Sequence, residues 1–208
     1  MLEELLGRVA GRFPRVEPRW RVRGFVLGLL ADLPRKNCWT IAEHAGGSGP
    51  DGRQHLLGRA VWDTGGVCDD LRDYVVEHLG DPGAVLVVDE TGDVQKGAAT
   101  VGIQRQYTAT AGRVENAQVA VCLTCAGQVG HAMIDRELYL PKSWTSDPAR
   151  CAAAGVPDDV GFATKPRLAA TVLGRALDAG VPARWVAADE VYGADPGLRA
   201  DLEARWVG

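Results

Sequence analysis

Two apolar stretches of this chain, 84-AVLVVDETGDVQKG-97 and 183-ARWVAADEVYGADPG-197, each run into an Asp-Glu pair. A short Val/Ala-rich run bounded by Gly and Pro reads as a buried β-strand. Residues 84–89 and 184–189 are therefore expected as strands that stop at Asp89 and Asp189. Any fold for this chain must end two strands on charge. Ionised carboxylates are tolerated only in water, beside a partner or beside a cation.

The remaining elements narrow the choice. Leu2, Leu5, Leu6 and Val9 recur at helical spacing until Pro14 and Pro18 interrupt. Helices are then predicted over 20–33, 37–46, 53–63 and 71–80, the last opened by Asp69 or Asp70. A Gly- and Thr-rich segment, 91–116, leads from the first strand to a second at 117–125. A turn at 126–128 gives a hairpin into 129–141, with Ala132, Ile134, Leu138 and Leu140 expected on one face. A polar loop over 142–162 precedes a helix opened by Thr164-Lys165-Pro166 and ended by Gly180 and Pro182. The strand at 184–189 follows, and Asp195-Pro196 starts a last helix.

The order is three strands, helix, strand, helix. Strands joined without helices are antiparallel neighbours, and one that follows a helix returns parallel through a right-handed crossover. The fold class is α/β with a mixed sheet, preceded by a helical N-terminal region. The expected division is 1–80, helical, and 81–208, sheet-bearing.

Charge is unevenly spread. Residues 1–59 hold ten Lys or Arg against six Asp or Glu, whereas the whole chain carries a net −4. The two short helices around 46-GGSGPDG-52 read as a DNA-binding helix-turn-helix or as part of an ordinary helical bundle. The longest apolar stretch, 24-GFVLGLLA-31, is too short for a bilayer, and MLEELLGRV lacks a signal-peptide pattern, so a cytoplasmic protein is expected. Five cysteines at irregular spacing do not make a disulfide framework. Cys122 and Cys125 form a CxxC, but on a strand they point to opposite faces. They read as buried thiols.

If the strands ending at Asp89 and Asp189 are parallel neighbours, the two carboxylates meet at one edge. Two ionised carboxylates brought close repel, each raising the other's pKa unless a cation neutralises them, and hard oxygen ligands suit Mg²⁺ or Mn²⁺. Such ions support in-line phosphoryl displacement. Glu90 and Glu190 would point away from the neighbouring Asp and read as supporting or solvated residues.

The segments 87-VVDETGDVQKG-97, 101-VGIQRQYTATAGRVENAQVAV-121, 161-GFATKPRLA-169 and 187-AADEVYGADPGLRADLEAR-205 resemble bacterial insertion-sequence transposases of the DDE endonuclease superfamily. The helical lead 55-HLLGRAVWD-63 with 71-LRDYVVEHLG-80 is similar as well. The resemblance covers most of the chain. It implies an RNase H-like core, metal-dependent cleavage at transposon ends followed by strand transfer, and DNA as partner, along with further copies of the chain or a full-length transposase. The family's first acid falls on Asp89 and its second on Asp189. The third, a Glu on a later helix, has no counterpart. Asp195 reads as a helix cap, and Asp201 and Glu203 as exposed. A truncated, inactive fragment with an incomplete core is expected, in which Leu198, Leu202 and Trp206 lack packing partners.

Other features stay open. Gln104, Arg105, Gln106 and Tyr107 read as DNA-lining or as a solvated loop, and Lys165 as a phosphate contact or an exposed lysine. The six tryptophans read as core or edge packing. Two further readings remain: a non-enzymatic DNA-binding module on residues 1–80, and an aspartyl-phosphate phosphatase or phosphotransferase with Asp89 as nucleophile.

Overall fold

The computed structural model describes residues 1–205 and 207–208. It comprises two compact units, Met1–Tyr74 and Val75–Gly208.

The first unit is helical: α1 (Leu2–Val9), a 3₁₀ turn (Ala10–Arg12), α2 (Val16–Leu30), α3 (Cys38–His44), α4 (Asp51–Gly58) and most of α5 (Thr64–Leu79). Pro18 does not interrupt α2. It lies in the first turn, where its missing N–H forfeits no helical bond. The fifth helix starts seven residues earlier than the sequence predicts, because Asp63 caps it by accepting from the Gly66 amide at 2.8 Å. Asn37 caps α3 in a reciprocal box with Thr40. Val9, Phe13 and Leu56 form the small core, with Phe13 stacked on Trp62 at 5.2 Å between ring centroids. Arg12 grips Asp70 with two bonds of 2.8 Å.

The second unit is built on a five-stranded sheet: β1 (Val85–Val94), β2 (Gln104–Thr108), β3 (Arg113–Gly127), β4 (Gly130–Leu138) and β5 (Trp185–Ala188). The order is β2-β3-β1-β5, with β4 also paired to β3. Only β5 runs parallel to its neighbour. This is the mixed sheet read from the sequence, consistent with an RNase H-like fold, with two strand corrections. The first strand does not stop at Asp89. Residues Glu90–Val94 continue it, because β3 extends far enough to pair with all of them. The Gly/Thr-rich segment contains a strand of its own, β2, paired with Arg113–Ala117.

The supposed loop 142–162 contains α6 (Lys142–Thr145) and α7 (Pro148–Ala153). Fully buried Trp144 anchors it by donating to Ile103 O at 2.8 Å. A bulge opposite Leu123/Thr124 breaks the alternation of β4. As a result Ile134 is buried but Leu138 is 37% exposed, and the expected common face does not form.

One face of the sheet holds the core. Leu86 and Val88 of β1 and Val121, Leu123 and Cys125 of β3 meet Ala169, Val172, Leu173 and Ala176 of α8 (Lys165–Asp178). Those α8 positions recur at helical spacing. Thr164 caps the helix at the Arg167 amide, and Gly180, at φ +79°, closes it. After β5 come α9 (Glu190–Gly193) and α10 (Pro196–Ala204). Leu198 is buried in the same core and Leu202 packs against it. These two leucines therefore have the partner the sequence reading denied them. Trp206 lies outside the described residues. Of the other tryptophans, Trp20, Trp39 and Trp185 are more than half exposed and lie outside the core.

Candidate metal-binding edge of the sheet

The parallel pairing of β1 with β5 ends at Val88 opposite Ala188. The next residue on each strand is an aspartate. Asp89 continues along β1 opposite Cys122 of β3, while at Asp189 the chain turns into α9. That turn is local chemistry: Asp189 Oδ1 accepts from the amides of Val191 at 2.9 Å and Tyr192 at 3.4 Å, as a helix cap does. Asp89 Oδ1 accepts from the Glu90 amide at 2.7 Å. Both carboxylates are exposed. The Oδ2 of each has no hydrogen-bond partner among the described residues.

Successive residues on β1 face opposite ways, so Glu90 turns to the α8 face, away from Asp89. Its Oε1 accepts from Lys165 Nζ at 2.6 Å and its Oε2 from the Tyr192 hydroxyl at 3.1 Å. Glu90 and Lys165 are 21% and 24% exposed, and Tyr192 is fully buried. Burial pushes the Tyr192 phenol well above its ordinary range, and the charges of Glu90, Asp189 and Asp89 push it further. All three carboxylates therefore act on one phenol. On the far side of Asp89, burial raises the Cys122 thiol, and the Asp89 charge adds to it.

Among the described residues, no three His, Cys, Asp or Glu side chains come together in a way that could hold a metal ion. The donors present, two exposed carboxylates each one residue past the last β1–β5 pair, are hard oxygens of the kind that divalent cations take. Glu90 faces the other side of the sheet from Asp89, where its oxygens accept from Lys165 and Tyr192. Asp195 caps α10 at the Leu198 amide, 2.8 Å away. Asp201 and Glu203 are exposed on that helix.

The residues read as DNA contacts divide. Arg105 and Tyr107 are exposed on β2, with Tyr107 58% accessible. Gln106 is tied into the sheet by donating to Ala117 O at 2.7 Å, and Gln104 accepts from Ser143. Lys165 is not a freely exposed lysine, since its ammonium donates to Glu90 and its side chain is 24% exposed. The Glu90–Tyr192 bond went unseen in the sequence. Its only signal there was a tyrosine three residues after the second aspartate. The five cysteines are free thiols, and Cys122 and Cys125 occupy opposite faces.

A family model described as DDE superfamily endonuclease matches residues 8–207. A probable transposase for insertion sequence element IS701 from Microchaete diplosiphon is 28% identical over 183 residues, covering 87% of this chain and 45% of that protein. The chain thus spans less than half the length of this relative. No solved structure matches it. Among the described residues, no helix is long and apolar enough to cross a membrane.

Proposed function

Because this chain belongs to the DDE superfamily of endonucleases, we propose that Asp89 and Asp189 are two carboxylate ligands of a divalent-metal site for cutting and rejoining DNA at transposon ends. The observation that carries this is the β1–β5 register. Val88 and Ala188 are paired, and the next residue after each is an aspartate. Mg²⁺ or Mn²⁺, when bound, supplies charge stabilisation for an in-line displacement at phosphorus. The protein's part is to hold the two carboxylates in place and to present DNA to them. Arg105 and Tyr107, exposed on β2, are suited to a phosphate and a base.

Phosphoryl transfer depends on positioning more than on covalent chemistry by the protein. With two carboxylates the cation is under-determined. Residues 1–208 by themselves are therefore expected to bind the metal weakly and to leave DNA uncut. The aspartyl-phosphate reading has less support, since β1 lies between an antiparallel and a parallel neighbour rather than in a parallel sheet.

The test is Mn²⁺ binding followed by electron paramagnetic resonance, alongside labelled transposon-end DNA. Weak binding that disappears in Asp89→Asn and in Asp189→Asn supports the site. Binding unchanged in both variants removes it. Cuts by residues 1–208 that vanish in Asp89→Ala would overturn the inactivity while keeping the site.

A further inference from the structure

The backbone pairing that brings Asp89 and Asp189 together stops one residue short of both. Beyond Val88 and Ala188, no β1–β5 ladder bond fixes one aspartate relative to the other. The first link past that point is made by side chains: the Tyr192 hydroxyl on Glu90 Oε2 at 3.1 Å, with Lys165 Nζ on Oε1 at 2.6 Å. Glu90 is the residue after Asp89. Tyr192 lies in α9, whose first amides are capped by Asp189.

We propose that Glu90 is a positioning residue, whose carboxylate, held by Tyr192 and Lys165, ties the strand bearing Asp89 to the turn bearing Asp189 and so sets their separation. This rests on reading the two aspartates as a metal-binding pair.

A purely stabilising role fits these residues poorly. Lys165 is the first residue of α8, where the helix dipole disfavours a positive charge. Glu90 and Lys165 are both largely withdrawn from water, and desolvating an ion pair costs as much as it returns, so an apolar trio would stabilise equally well. What the charged arrangement adds is direction. A carboxylate with two defined donors fixes α9 in both orientation and distance, which loose apolar packing does not. It also keeps Glu90 away from the open oxygens of Asp89 and Asp189.

The experiment uses the full chain and its Tyr192→Phe, Glu90→Gln, Lys165→Met and Lys165→Arg variants, with two readouts. Without metal, amide hydrogen exchange at Val191 reports whether the turn is held. With Mn²⁺, resonance titration reports the carboxylate geometry. In Tyr192→Phe, which removes one hydroxyl and conserves the fold, Val191 exchange is expected to quicken about tenfold while Leu86 and Leu123 stay unchanged. Mn²⁺ affinity should fall about tenfold, as it does when supporting partners of ligands are removed. Lys165→Met should weaken the metal similarly, and Lys165→Arg should restore it.

Val191 exchange and Mn²⁺ affinity both within about twofold of wild type in Tyr192→Phe and Glu90→Gln would overturn the proposal. Faster exchange with undiminished Mn²⁺ affinity would overturn it too, leaving only a fold contact. A wild-type chain that binds no Mn²⁺ sinks the metal reading, and the exchange data then decide separately whether Glu90 holds the turn.

Discussion

Cys122 is the direct cross-strand partner of Asp89 in the β1–β3 ladder. Its thiol is raised by burial and then by the Asp89 charge, so little thiolate forms near neutral pH. Cys122 should alkylate slowly with iodoacetamide, and Asp89→Asn should quicken it by roughly two- to fivefold, since the thiolate is the nucleophile. Peptide mass spectrometry resolves the five cysteines. An unchanged Cys122 rate in Asp89→Asn would show that the carboxylate does not act on the thiol.

Tyr192 makes the sheet unit sensitive to base. Its folded phenol titrates above the ordinary tyrosine range because of burial and the Glu90 charge. A group raised on folding contributes stability that is present below its unfolded value and lost as pH rises past it. Stability should therefore decline above about pH 10, where an unfolded tyrosine ionises. Tyr192→Phe should flatten this decline in denaturant melts followed by circular dichroism. An identical alkaline slope in the variant refutes the assignment.

Asp70 does the converse in the helical unit. The hydrogen bonds from Arg12 hold its carboxyl below the usual carboxylate range. A depressed carboxyl contributes stability that is present above its unfolded value and lost as pH falls through the folded one. Melting of the chain should weaken below about pH 4, and Asp70→Asn should remove that acid dependence while lowering stability at neutral pH. Parallel acid titrations of the two proteins would decide it.

Gly92 has no room for a side chain. A Cβ there would overlap the hydroxyl of Thr108, which is itself 2% exposed and without a hydrogen-bond partner. Gly92→Ala should cost about 1–3 kcal/mol, as overpacking does. The double variant with Thr108→Ala should recover part of that loss. No loss of stability in Gly92→Ala would mean that β2 yields easily.

Much of this architecture was legible because it is written in local terms. The apolar runs ending at Val88 and Ala188, the opening of α8 at Thr164 and the cap Asp195 each act within a few residues. What escaped the sequence depends on a partner. Glu90–Val94 reads as lying past the end of a strand until β3 is seen to pair with it. The segment holding β2 is too rich in Gly and Thr to be a strand without Arg113–Ala117 beside it. The bulge that turns Leu138 outward arises from the pairing with β3 and leaves no mark in the alternation of β4.

The same division runs through the candidate site. The sequence by itself determined that two aspartates each follow a short apolar run, because hydrophobic periodicity and charge are properties of neighbouring residues. Only the tertiary structure decided that those strands lie side by side and parallel, and that Glu90 meets Tyr192 across 102 positions of chain. Pairing register and long-range hydrogen bonds are chosen by the packing of whole elements, and no short window of residues carries that information.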